Sequence, residues 1–289
     1  EIRDYEKLKI FLEQTLQRYN KTPLMLSMDL VMFHDAILNI CRIVRILRRP
    51  RGNLLLLGIG GSGRQSLVRL AAFICDIALF QIEIGRRYGH TEFKEDLRRL
   101  LKLCSISNRE VVFLFIDTQI IDTFFLEDIN ALLHTGEVPN LFRQEDIQEI
   151  RNQLSPTLNR QGILDTNVNT MQFFYNRVKS NLHMAICMSP FGETFRNYIR
   201  MYPALVNCTT IIYFSEWPHE ALIDVAHHFL IKYNFELEDN ETIHRTLANL
   251  CAFIHLSSKT LANKMKDELR REIYITPTNY LQFVRNYSR

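Results

Sequence analysis

The sequence predicts an α/β fold, a doubly wound parallel sheet flanked by helices, followed by a smaller all-helical domain. Three observations carry that expectation. Short continuous apolar runs alternate with amphipathic stretches from Asn53 onward, the first run opens into a glycine-rich turn, and the strand pattern stops at Trp217-Pro218. Continuous rather than alternating apolar runs are what a parallel sheet buried on both faces produces.

Ahead of the sheet, Ile2, Tyr5, Leu8, Ile10, Phe11, Leu16 and Tyr19 recur at helical spacing, and Pro23 ends this lead-in helix. A second helix is expected from Met28 to Arg49, burying Val31, Phe33, Ile37, Leu38, Val44 and Leu47. Arg42, Arg45, Arg48 and Arg49 crowd its last turns, where positive charge complements the helix dipole. A solvated helix end and a patch facing phosphate or a neighbour both remain open for them.

The expected strands are Leu54–Leu57, Phe80–Ile84, Val111–Ile116, His183–Met188 and Thr209–Phe214, with helices near 63–76, 92–104, 124–134 and 193–201 between them. Right-handed crossovers would put a ligand at the carboxyl ends of these strands. The polar stretch 144–169, with Pro156 and Gly162, reads as an irregular excursion or surface loop. After Pro218, helices are expected near 218–232, 240–257, 258–274 and from 278 onward. The domain boundaries drawn from this are 1–50 for the lead-in helices, 51–216 for the α/β core and 217–289 for the small helical domain.

Composition excludes several classes. With 47% hydrophobic and 23% charged residues among 289, the chain can bury a sizeable core. A formal charge of +3, from 35 basic and 32 acidic residues, lacks the excess a nucleic-acid binder carries. Cys41, Cys75, Cys104, Cys187, Cys208 and Cys251 lie far apart, mostly in apolar runs, which fits reduced thiols in a reducing compartment. No Cys-x-x-Cys pair exists, so no structural zinc is expected. The apolar stretch Leu67 to Ile84 is broken by Arg69, Asp76 and Glu83, which argues against a membrane span. The chain starts at Glu1 with a charged amphipathic stretch, so no signal peptide is read, and a piece of a longer chain is expected.

The chemistry concentrates in the run from Leu54 through Gly58, Ile59, Gly60, Gly61, Ser62, Gly63, Arg64, Gln65 and Ser66. A strand, a glycine-rich turn and a helix start make a phosphate loop, in which backbone N–H groups converge on an anion at a helix N-terminus. The usual Lys and Ser or Thr after the last glycine are replaced by Arg64 and Gln65, with Ser66 one position late. A guanidinium neutralises phosphate with a longer, planar fork, and a neutral amide oxygen is a less common Mg²⁺ ligand than a hydroxyl.

A second apolar strand ends in Asp117, the expected Mg²⁺-side carboxylate, and Thr118 follows where a water-activating acid would stand. General base catalysis contributes about 10²–10⁴ in rate, so nucleotide retention with slow or absent turnover is expected. Glu127 is a candidate substitute base, and a first-turn dipole partner otherwise. Ser189 is either a sensor of the terminal phosphate or a turn residue before Pro190. Arg196 and Arg200 are either trans-acting fingers for a neighbour's phosphate or members of an exposed charged helix face.

Several segments together resemble one family. They are Gly58 to Leu67, Phe113 to Gln119, Phe125 to Asn130, Gly136 to Phe142, Cys187 to Pro190 and Phe214 to Pro218, and they look like the fourth AAA+ module of axonemal dynein heavy chains. The Gly-Ser-Gly-Arg-Gln-Ser variant is similar to the axonemal branch, whereas the cytoplasmic branch keeps Lys and Thr. The resemblance implies an AAA+ P-loop fold, ATP or ADP with Mg²⁺ as cofactors, adjacent AAA+ modules of one heavy chain as partners, and a location in the ciliary or flagellar axoneme, within the cytoplasmic cytoskeleton. It also implies a microtubule-binding stalk beyond Tyr274 to Leu281, and intermediate and light chains as indirect partners, with neither nucleic acid nor membrane. By position, Arg64 stands for the phosphate lysine, Asp117 for the Mg²⁺-side acid, and Arg196 and Arg200 lie in the arginine-rich helix. Tyr198 replaces that helix's middle arginine, and Thr278 and Asn279 stand where a sensor arginine is expected. Three functions stay in competition: a nucleotide-holding regulatory module, a slow ATPase in which Glu127 or a group from the neighbouring module replaces the missing base, and an empty scaffold.

Overall fold

The computed structural model describes residues 4–23, 25–231, 240–271 and 273–287. By compactness the chain forms two units, one of residues 40–57 and 67–213, the other of residues 1–39, 58–66 and 214–289.

The first unit holds a five-stranded parallel sheet. Its strands are β1 (Leu54–Leu57), β2 (Ala78–Phe80), β3 (Val111–Ile116), β4 (Leu182–Met188) and β5 (Thr210–Tyr213), in the order β2-β3-β4-β1-β5. The α/β expectation holds. The central strands β3 and β4 are buried at every residue, which is why they read as unbroken apolar runs. Alternation sorts β3 between faces: Val111, Phe113 and Phe115 join a core that includes Phe93, Phe125, Leu154 and Phe174. There the rings of Phe93 and Phe125 stack with centroids 4.2 Å apart.

Asn53, just ahead of β1, fixes the register of three strands. Its side chain donates to Cys208 O at 3.3 Å and accepts from Met184 N at 2.9 Å, and its carbonyl accepts from Thr210 N at 2.8 Å. Leu57 thereby aligns with both Met188 and Tyr213. All strands being parallel, the ends of β1, β3 and β4 emerge at one edge of the sheet.

The helices along the chain up to β5 are α1 (Tyr5–Lys21), α2 (His34–Leu47), α3 (Arg64–Cys75), α4 (His90–Ser105), α5 (Thr123–Thr135), α6 (Gln144–Arg160), α7 (Asn167–Asn181), α8 (Glu193–Met201) and α9 (Ala204–Asn207). Two expectations fail here. The stretch 144–169 is not irregular: α6 fills most of it and α7 begins within it. Their buried stripes are thin, Ile150, Leu154 and Leu158 on one and Thr170, Phe174 and Val178 on the other, so polar residues masked a strict i,i+4 repeat. Arg151 ties the turn between them, donating from Nε to Asp165 Oδ1 at 2.9 Å and from a terminal nitrogen to Asp165 O at 2.9 Å. The second strand also runs over Ala78–Phe80 instead of Phe80–Ile84, sharing only Phe80 with the expected one.

In the second unit, α10 (His219–Leu230), α11 (Asn240–Leu269) and α12 (Pro277–Tyr287) pack around Leu222, Phe229, Cys251, Ala252 and Tyr280. The two helices expected over 240–274 are one continuous helix of 30 residues. Tyr280 donates its hydroxyl to Leu222 O at 2.8 Å, closing α12 on α10. The segment before α2 belongs to the same unit: Phe33 meets Trp217 edge to face at 5.7 Å, and His228 pairs with Asp29 at 2.8 Å.

One buried group links the sheet to pH. His183 on β4 is 1% exposed and donates from Nδ1 to Gly52 O at 3.0 Å. Burial pushes its pKa below the usual 6.5, against the smaller opposing pulls of Gly52 O and Glu110. A folded-state value below the unfolded one gives stability that is present above the unfolded pKa and lost as pH falls through the folded one. Urea denaturation is therefore expected to show stability falling as pH drops below about 6.5. His183→Gln should flatten that slope, leaving the part due to His255, also depressed chiefly by burial. An unchanged slope in the variant would contradict the assignment.

Candidate functional site

The chain leaves β1 at the carboxyl edge of the sheet through Gly58 and the loop that follows. A Cβ on Gly58 would stand 2.8 Å from Phe214 Cβ and 3.0 Å from Ser62 Oγ, so no larger residue fits. Ser62 N–H donates to Ile59 O at 3.2 Å, closing a β-turn whose third residue, Gly61, has φ +81°. That is the left-handed position a type II turn demands. Gly63 has φ +88° with nothing within 4 Å of its Cβ direction, so this side of the loop is open.

The backbone N–H groups of Gly60, Gly61 and Gly63 donate to no backbone acceptor among the described residues. The first-turn amides of α3 add donors that no helix carbonyl can accept. Ser62 is 5% exposed, and its buried Oγ has no hydrogen-bond partner among the described residues. An unpaired hydroxyl beside unpaired amides is a donor set waiting for an acceptor, and a polyphosphate supplies several. Arg64 opens α3 and is 8% exposed, with Gln65 and Ser66 half-buried behind it. The residues fit a phosphate-bearing ligand.

At the same edge of the sheet, Ile116 of β3 aligns with Cys187 of β4. Asp117 then enters a 3-10 turn, and its Oδ2 accepts the Ser189 N–H at 2.9 Å. The two candidates at the ends of these strands are thus directly joined, through the backbone of Ser189. Gln119, which sequence reasoning passed over, holds the turn: its Oε1 accepts from Ile116 N and its Nε2 donates to Ile82 O, both at 2.9 Å. A buried amide spanning two backbone groups leaves no periodic signal in a sequence. Thr118 is exposed.

The remaining candidates lie on helix surfaces. Glu127 is exposed on α5, and its charge acts on Tyr202, whose hydroxyl pKa is raised first by burial and then by that carboxylate. Helix α8 buries none of its residues. Arg196 on it pairs with Glu193 at 3.4 Å, and Arg200 is exposed. Among the described residues no group of His, Cys, Asp and Glu side chains is arranged to hold a metal ion, and no helix is long and apolar enough to cross a membrane.

A parallel sheet in this order, a glycine loop after the β1 strand and an acid at the end of β3 define a P-loop module of the AAA+ class. More narrowly, the chain belongs to the P-loop containing dynein motor region D4 family, whose profile matches residues 28–289. It is 47% identical over 286 residues to mouse dynein axonemal heavy chain 2, covering 99% of this chain and 6% of that protein. The human dynein axonemal heavy chain 2 is 45% identical over 289 residues, again 6% of its length. The dynein-1-beta heavy chain of the flagellar inner arm I1 complex of Chlamydomonas reinhardtii is 44% identical over 99% of this chain. The chain therefore spans about 6% of the length of these relatives. Membership in this family carries nucleotide binding as a general property.

Gly61→Ala tests the loop. An L-residue in the left-handed region costs about 1–2 kcal/mol, and the added Cβ would stand 2.4 Å from Thr278 Oγ1. Equilibrium denaturation should show a loss of at least about 1 kcal/mol; a variant as stable as the parent would contradict the described turn.

Proposed function

We propose that this chain is the fourth AAA+ module in the motor ring of an axonemal dynein heavy chain, holding ATP or ADP with slow or absent hydrolysis. Residues Gly58 to Gly63 and the start of α3 wrap the phosphates, and Arg64 neutralises their charge. Asp117 and Gln65 would hold the Mg²⁺ ion that accompanies the nucleotide, and that ion would supply charge neutralisation there. Ser189 presents the end of β4 to the terminal phosphate. In this reading residues 1–50 lead into the module, 51–216 carry the nucleotide-binding core and 217–289 form the small helical domain.

The observation that carries the reading is the donor set of the glycine loop, with its buried, unpartnered Ser62 hydroxyl, in a chain whose position 118 is an exposed threonine. Loop amides bind; a threonine hydroxyl cannot take a proton from water at neutral pH. The ligand is therefore held longer than it is turned over, and the module regulates the mechanics of the ring. Arg196 and Arg200, exposed on α8, face an adjacent module of the same heavy chain. Microtubules are reached only through a stalk outside this chain, intermediate and light chains only indirectly, and the site of action is the cytoskeleton of a cilium or flagellum. The slow-ATPase alternative needs Glu127 or a residue of the neighbouring module as base, and the Glu127 carboxylate is exposed on α5, where its charge acts on Tyr202.

Ligand linkage gives the test. ATP at a hundredfold excess over its Kd stabilises a binding fold by about 2.7 kcal/mol, so the melting temperature of the purified chain should rise by several degrees. Arg64→Ala should lose most of that rise, and single-turnover assays should release no phosphate on the minutes scale. No rise, together with no adenine nucleotide freed on denaturation, would favour the empty scaffold. Glu127-dependent phosphate release would establish the slow ATPase instead.

A further inference from the structure

The tightest contact of the glycine loop is made by a residue that no phosphate-loop pattern includes. A Cβ on Gly61 would lie 2.4 Å from Thr278 Oγ1, 2.5 Å from Thr278 N and 3.0 Å from Thr278 Cα, and one on Gly60 would lie 3.9 Å from the same hydroxyl. Thr278 is the second residue of α12, after Pro277. The cap of that helix is built from its neighbours: Asn279 Oδ1 accepts from Thr276 N at 3.0 Å and from Thr276 Oγ1 at 2.6 Å, and Asn279 N donates to Thr276 Oγ1 at 3.4 Å. Thr278 is left out of this exchange. Its N–H is a first-turn donor that no carbonyl of its own helix can accept, and both that donor and its hydroxyl bear on Gly61.

Gly61 needs such a partner. Glycine takes positive and negative φ about equally readily, so an unsupported Gly60-Gly61 peptide would sample orientations that turn the loop amides away from a ligand. A backbone and a hydroxyl pressed against its Cα select one. Selecting the bound geometry in advance reduces the ordering cost of binding, and by reciprocity a ligand that fixes the loop must then stiffen the first turn of α12.

We propose that Thr278 is a positioning residue of the nucleotide loop, coupling phosphate occupancy to the start of α12 through its contact with Gly61. This rests on the nucleotide reading above. In place of a charged side chain reaching the phosphate, the chain uses a close van der Waals contact at Gly61.

The test uses the whole chain, a fluorescent N-methylanthraniloyl ADP and amide hydrogen exchange. Wild type and Thr278→Ser, which keeps the hydroxyl, should bind within about twofold of each other, whereas Thr278→Ala should bind about five- to tenfold more weakly. All three should melt at the same temperature without nucleotide. Nucleotide should slow exchange over residues 278–284 in wild type and the serine variant and leave it unchanged in the alanine variant. Unchanged affinity in Thr278→Ala, protection that persists in it, or a lower unliganded melting temperature would each overturn the role. A wild-type chain that binds no nucleotide overturns the functional reading and this proposal together; a wild type that binds beside an unaltered Thr278→Ala overturns this proposal alone.

Discussion

The turn from β1 into α3 is the constraint on which the rest depends, because the backbone there must reverse within four residues and still present its amides. Ile59 to Ser62 closes that reversal with one hydrogen bond, and only a residue free to hold φ +81° can stand third in it. Closing the turn uses the Ser62 amide and leaves those of Gly60, Gly61 and Gly63 without backbone partners among the described residues. Side chains are excluded from the inside of the loop at Gly58, where Phe214 and Ser62 fill the space. The loop is small because it is crowded, and it is a donor set because it is small.

The acid side is built by a different device. Asp117 is the first residue beyond a fully buried strand, and its carboxylate is anchored to the next strand's end by the Ser189 amide. A carboxylate that accepts a backbone N–H keeps a second oxygen for other work. Gln119 then stops the 3-10 turn from drifting, since its amide is committed to Ile116 and Ile82. Strand register, set partly by Asn53, thus reaches the acid through two side chains that are not themselves acidic.

How much of this was legible in the sequence follows from what leaves a pattern. Strands buried on both faces leave unbroken apolar runs, so β1, β3 and β4 were readable almost to the residue, as were the glycine loop and Asp117. Helices α6 and α7 were not, because each buries a single residue per turn and the charged remainder reads as loop. The break expected within α11 falls between Ser257 and Ser258, polar residues tolerated on a helix whose opposite face is packed: Ser258 simply donates to Ile254 O at 2.8 Å. Gln119, Asn53 and Thr278 act on backbone groups distant in the chain, and such contacts carry no spacing rule. In the sequence, position 278 stands out only by the arginine it lacks, and its contact with Gly61 arises only in the folded chain.

The most direct measurement is a nucleotide titration followed by backbone amide resonances of the glycine loop. If these amides grip a polyphosphate, adding ATP should shift the N–H signals of Gly60, Gly61, Gly63 and Arg64 far more than those of β4, with one saturating midpoint. A folded chain in which those four signals stay in place at millimolar ATP would contradict the account.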